Sequence, residues 1–135
     1  MKGDGATTAA SKLKVQRNKR WLRDTAPRVE GALTAALASL ATHPKPSVRA
    51  AAGAAAISVM RLCPWTLRGA SRALLECALV LCGDPWPQVS SPTRRSLADL
   101  EAAGLVSSDA IHDVIRDAFA ELPRAVRRRG GGAGP

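Results

Sequence analysis

The sequence predicts an all-α fold of stacked antiparallel helix pairs, and three observations carry that reading. Apolar residues recur at steps of three and four along the chain, and no stretch alternates apolar with polar residues as a half-buried strand would. Pro, Gly, Ser and Thr punctuate those stretches where helices start and stop. The phrase HPKPSVR at residues 43–49 returns as DPWPQVS at residues 84–90, with Pro at the second and fourth places and Val at the sixth.

Residues 1–20 are polar and basic and read as a disordered tail. Helical repeats fill residues 21–123, and residues 124–135 form a second basic, Gly-rich, disordered tail. A first helix opens near Thr25 and Pro27, because Thr caps a helix and Pro suits its first turn. Val29, Leu33, Leu37 and Leu40 then share one face, and Pro44 and Pro46 end the helix. Ser47 caps a second helix with Val48, Ala52, Ala55, Val59 and Leu62 on one face, stopped at Cys63-Pro64. Gly53 inside it costs about 1 kcal/mol relative to Ala, so propensity alone does not sustain this helix.

Thr66 caps the third helix and Gly83 closes it as a C′ glycine. Leu74, Ala78 and Leu81 form one stripe, with Leu75, Leu79 and Cys82 beside it. So wide an apolar arc is covered on two sides, which makes this the most buried element. The fourth helix begins at Ser91 and Pro92, is anchored by Leu97 and Leu100, and stops at Gly104. A fifth runs from Ser108 to about Leu122, with Ile111, Ile115, Phe119 and Leu122 on one face.

A shift of 41 residues superposes these anchors. Leu33 falls on Leu74 and Leu40 on Leu81, and a second shift carries them to Ile115 and Leu122. Pro44 falls on Pro85, Pro46 on Pro87 and Val48 on Val89. Two helices per period of ~40–47 residues are the signature of HEAT or armadillo arrays, so the predicted architecture is a HEAT-type α-solenoid of about two and a half repeats. Val48 and Val89 start the inner helices with their side chains in the seam. Arg49 follows the first Val and reaches the turn of a neighbouring repeat; Ser90 stands in its place in the second copy. Stacking is what buries each pair's apolar stripe, and about three repeats are needed for independent stability.

Composition narrows the function. Hydrophobic residues make up 46%, yet there are three Trp, one Phe and no Tyr, so the core is built from Ala, Leu and Val. The net charge of +9 is concentrated at the ends: Lys12, Lys14, Arg17, Lys19, Arg20 and Arg23 at one, Arg124, Arg127, Arg128 and Arg129 at the other. Trp21 is the one aromatic residue among them, which does not make a stacking platform for nucleic acid. Cys63, Cys77 and Cys82 match no zinc spacing and read as reduced thiols of an intracellular protein, with His43 and His112 far apart. No apolar run approaches the ~18 residues of a membrane span, and no secretory h-region is present. No nucleophile–base pair, carboxylate pair, phosphate loop or metal constellation is found, so neither catalysis nor a cofactor is expected. Trp65 and Trp86 fall in inter-helix turns, where they either anchor a partner or fold back into gaps of the Ala-rich core. Trp21 seals the first helix onto the stack.

The residues from Lys19 to about residue 97 resemble the Tel-two-interacting protein one family, the largest scaffold of the TTT co-chaperone complex. The resemblance rests on Trp21 and Thr25 ahead of a helix, and on the turn with His43, Pro44, Val48 and Arg49. Cys63 with Thr66-Leu67, Leu74–Glu76, and the turn from Asp84 to Val89-Ser90 complete it. Ser47 stands where such proteins often carry a basic residue, and the helices are unusually Ala-rich. The resemblance implies a non-catalytic scaffold that helps assemble and stabilise phosphatidylinositol-three-kinase-related kinases, in the cytoplasm and also the nucleus. Its implied partners are the other TTT subunits, those kinases and the ninety-kilodalton heat-shock chaperone machinery, with no membrane. Two alternatives stand beside it: a HEAT adaptor of another complex, and a small basic nucleic-acid-associated helical protein.

Overall fold

A computed structural model of the chain describes residues 17–130, with side chains through residue 124. Among the described residues it is all-α: α1 (Lys19–Leu40), α2 (Pro46–Leu62), a 3-10 turn (Arg68–Ala70), α3 (Ser71–Cys82), α4 (Pro87–Ala102) and α5 (Ser108–Gly130). The helices form antiparallel pairs in two layers. α1, α3 and α5 stack in one layer, and α2 and α4 in the other, with α2 packed against both α3 and α4.

Local chemistry explains the boundaries, including those that differ from the sequence reading. α1 starts at Lys19, earlier than Thr25, because the Asn18 side chain accepts the Trp21 N–H at 2.8 Å and caps it. Pro27 therefore lies inside α1, on its exposed side. α2 and α4 begin at Pro46 and Pro87, with Lys45 and Trp86 as their caps, so the two starts are 41 residues apart like the phrase that contains them. Ser47 is not the cap of α2. Ser91 and Pro92 do not start α4; Pro92 lies within it.

Thr66 does not cap α3, which follows a 3-10 turn and begins at Ser71. Gly83 ends α3 at φ −95°, so it is not a left-handed C′ glycine. Gly104 is one, at φ +73°. The Gly104 N–H donates to the Glu101 carbonyl and the Leu105 N–H to the Leu100 carbonyl, both at 3.0 Å, the paired bonds of a Schellman stop. α5 opens at Ser108 behind Ser107, whose hydroxyl accepts the Ala110 N–H at 3.1 Å. It continues through Pro123 to Gly130, so residues 124–130, read from the sequence as tail, are placed in a helix. Residues 1–16 and 131–135, the rest of the two expected tails, lie outside the described residues.

The core confirms α3 as the doubly covered helix: Leu74, Leu75, Cys77, Ala78 and Leu81 are all buried along it. Burial pushes the Cys77 thiol above its ordinary range, which keeps it protonated and unreactive. Arg94 of α4 donates to the Cys82 carbonyl at 2.6 Å, supplying a cation at the end of α3 where free carbonyls gather.

In α2 the buried side is Ala52, Gly53, Ala56, Ile57 and Met60. The expected stripe was displaced: Ala55 and Leu62 are exposed, and Val48 and Val59 are only half-buried. With Ala on nearly every side of this helix, sequence periodicity carries little directional signal. The contact residues decide instead. A Cβ at Gly53 would stand 2.9 Å from Thr93 Oγ1 and 3.2 Å from Leu81 Cδ1, so the absence of a side chain at Gly53 lets α2 approach α3 and α4 closely.

Two further expectations are corrected by exposure. Leu37 is the buried anchor of α1, whereas Leu33 is half-buried and Leu40 exposed. On α5, Val114 is the buried residue, while Ile115, Phe119 and Leu122 are exposed. Both helices lie at an end of the stack and are packed from one side.

Candidate partner-binding site

Antiparallel pairing sends the short turns 41–45 and 83–86 to one edge of the stack. The loops 63–70 and 103–107 go to the other.

At the first edge the two copies of the Pro-bearing phrase are built alike. His43 Nδ1 accepts the Lys45 N–H and Asp84 Oδ1 accepts the Trp86 N–H, each at 3.0 Å. Both bonds run from a turn side chain to the backbone two residues on, the local mimic of a turn that such side chains offer. Arg49 ties the turns together. Its Nε donates to Asp84 Oδ2 at 2.7 Å and one terminal nitrogen to Asp84 Oδ1 at 3.3 Å. The other terminal nitrogen donates to the carbonyls of His43, at 2.7 Å, and Pro44, at 3.1 Å. The planar fork of Arg suits this four-way contact, and Lys could not reproduce it. Ser90, in the equivalent place on α4, turns its hydroxyl back to the Trp86 carbonyl at 3.3 Å.

The hydrogen bond from Arg49 holds the Asp84 carboxyl below its ordinary value of 3.8, helped by the Trp86 N–H and opposed by burial. A carboxyl depressed in the folded state adds stability above its unfolded pKa, and loses it as pH falls through the folded pKa. Asp84→Asn is therefore expected to lower the urea midpoint at neutral pH. Its difference from the parent should shrink as the medium is acidified below about pH 4. A difference that stays constant from neutral to acid pH would show that Asp84 does not act through its charge.

Trp86 caps α4 at this edge and is 50% exposed. Trp65 sits in the loop at the opposite edge, 74% exposed, with the Arg68 guanidinium 5.5 Å from its ring centroid. The two candidate anchors therefore do not form one site, and neither is packed into the core. Among the other residues singled out from the sequence, Leu74, Leu81 and Val89 are core, Val48 is half-buried and Pro44 is exposed. Trp21 is half-buried on α1.

The sequence reading missed a groove at the edge that carries Trp65. It has a volume of about 460 Å³ and is walled by Met60, Leu67, Leu75, Leu105, Val106 and Val114. Arg72 and Asp113 add charge to its lining, and Leu105 is exposed at its rim. The available signal was Leu105-Val106 directly after the Gly104 stop, an apolar pair in a loop that a purely connecting segment has no need for. Among the described residues, no group of three or more His, Cys, Asp or Glu side chains could hold a metal ion.

Residues 2–85 match a family model described as the TTI1 N-terminal TPR domain. The match ends at the second Pro-bearing turn, so the likeness does not extend to residue 97 as the motifs had implied. The period of 41 residues lies within the HEAT range of ~40–47 and not at the ~34 of a typical TPR. No curated protein and no solved structure matches the chain.

Proposed function

The chain belongs to the family of TTI1 N-terminal TPR domains, and from that premise we propose that it is a non-catalytic scaffold of the TTT type. In this reading it contributes to assembly and stability of phosphatidylinositol-three-kinase-related kinases, in the cytoplasm and nucleus. Its contacts are with other TTT subunits, those kinases and their chaperone machinery. The family match over residues 2–85 carries the proposal. An exposed Trp beside an apolar groove supports it, since aromatic anchors at open pockets are where binding energy concentrates at protein interfaces.

The test is affinity purification of the chain from cells, comparing Trp65→Ala, Trp86→Ala and loss of either basic end, by removing residues 1–17 or by changing the arginines within 124–129 to Ala. Trp65→Ala and Trp86→Ala are expected to weaken capture of TTT subunits by about 2 kcal/mol or more each, without loss of helix content. Tail removal should change association rate and salt dependence more than complex lifetime. If capture survives both Trp changes and fails without the tails, the scaffold reading is wrong. A steep, salt-sensitive interaction with nucleic acid would then take its place.

A further inference from the structure

We infer that the edge bearing Trp65 takes an acidic segment of a protein partner that also carries an apolar anchor. The segment lies across the loop 63–70, between the start of α1 and the groove. The choice of a protein as partner rests on the scaffold reading.

The packed stripe of α1 changes character along its length. Lys19, Arg23, Ala26, Glu30, Leu33 and Leu37 follow at steps of four and three, which puts them on one face. Leu37 is buried, Leu33, Glu30 and Ala26 are half-buried, and Arg23 and Lys19 are exposed. Glu30 lies level with the loop that follows α2, since its carboxylate accepts the Gly69 N–H at 3.3 Å. Arg23 stands about 10 Å and Lys19 about 16 Å further out along the helix axis. The start of α1 thus overhangs the loop, with a basic continuation of its packed face.

Positive charge is uncompensated at this edge. Residues 17–29 carry five Lys or Arg against Asp24 alone, and residues 61–70 carry Arg61 and Arg68 with no carboxylate. Asp24 directly follows Arg23, so it lies about 100° round the helix from the basic stripe. The ion pairs among the described residues engage Arg49, Arg72, Arg116 and Arg124, and Lys19, Arg23, Arg61 and Arg68 enter none of them. All four of these cations are exposed. Such a patch steers an acidic partner and selects against a basic one.

The other side of the loop decides which kind of anion fits. Leu67, next to Arg68, lines the groove together with Met60, Leu105 and Val106. Trp65, in the same loop, adds an exposed ring. A nucleic-acid backbone leaves that apolar surface unfilled. A peptide with carboxylates and a Leu or Phe side chain satisfies both, because Arg pairs a carboxylate through two parallel hydrogen bonds while the apolar side chain enters the groove. Asp113 lines the groove and Arg72 there is already held by Glu76 and Asp117. The carboxylates therefore belong on the α1 side of the loop and the apolar anchor on the groove side.

A random peptide library displayed on phage and selected against the full chain tests this. Selected sequences are expected to combine Asp or Glu with Leu, Phe or Trp. Arg23→Glu with Arg68→Glu should weaken a selected peptide by about tenfold or more at low salt, the difference fading as salt rises. Helix content should not change, since both side chains are exposed. Leu105→Ser should weaken the same peptide by a factor that salt does not alter. Arg95→Glu, at an exposed position on α4, should have little effect. Selected peptides without acidic enrichment, or binding indifferent to the Arg23 and Arg68 changes or to Leu105→Ser, overturn the inference. So does an Arg95→Glu loss as large as that of Arg68→Glu alone, which marks net charge only. Tighter binding of polyuridylate or of phosphatidylserine vesicles, lost with the same arginines, assigns the edge to nucleic acid or membrane and overturns it too. No TTT subunit takes part in these measurements, so failure here is told apart from failure of the scaffold reading, which the affinity purification decides.

Discussion

Leu81→Ala is expected to lower the free energy of unfolding by about 3–5 kcal/mol, the upper part of the range for buried Leu truncations. Leu81 is completely buried, and its Cδ1 lies close to the position a Cβ would take at Gly53. It is therefore enclosed by α2 as well as by its own helix, and α4 packs on both. The buried cluster it belongs to is rich in alanine, with Ala52, Ala56 and Ala78 all fully or almost fully buried, and short side chains cannot lean across a void. Leu74→Ala should follow closely. Leu33→Ala, at a half-buried position on an end helix, should cost clearly less. Urea melts that rank Leu33 as the most sensitive of the three would refute this assignment of burial.

Gly53→Val is expected to destabilise the fold by about 2–3 kcal/mol, although Val is a better helix former than Gly. The new side chain would meet Thr93 Oγ1, which is held in place by its hydrogen bond to the Val89 carbonyl at 2.8 Å, and the enclosed Leu81. Gly53→Ala sets the same conflict at smaller scale, a propensity gain of about 1 kcal/mol against a clash of comparable size. Thr93→Ala removes the nearer obstacle and should make Gly53→Ala more favourable than it is in the parent. Melts of the two single variants and the double variant form a cycle that isolates this coupling. Strict additivity would show that the close approach at Gly53 does not govern the packing of α2 on α4.

These residues also show what was legible in the sequence. The 41-residue phase does mark the α2 and α4 starts, since Pro46 and Pro87 occupy the same first helical position, but the expected caps, Ser47 and Ser91, lie one and four residues inside the helices. Reading α4 from Ser91-Pro92 set that phase aside for a local preference, applied to the wrong proline. The same preference misplaced the start of α1 at Pro27, where Asn18 is the cap. α3 was read well because Leu residues dominate it and a wide Leu arc has only one place to go. α2 was not, since alanines look alike from every side and the buried direction emerges only when Thr93 and Leu81 are in place.

The candidate site was legible in part. Arg49 could be assigned to a neighbouring turn because it follows Val48 in the place where HEAT repeats commonly carry Arg. Its acceptors could not be identified in advance, since two of them are the backbone carbonyls of His43 and Pro44. The groove belongs to two loops joined only by the stacking of the helices that flank them. No local pattern contains both halves. Trp65 and Trp86 looked equivalent in sequence, each in a turn, and the pairing of helices sends them to opposite edges.

The Arg49–Asp84 contact has a mechanical consequence. It fastens the first pair to the second at one edge, and Glu30 adds a second fastening by accepting the Gly69 N–H at 3.3 Å. Between the second pair and α5 the equivalent of Arg49 is Ser90, and the link that remains is the exposed Arg72–Asp117 contact at 2.7 Å beside an open groove. Stiffness is thus graded along the array. The first four helices are therefore expected to resist bending as a block, and a pull along the solenoid to part α5 from α3 first.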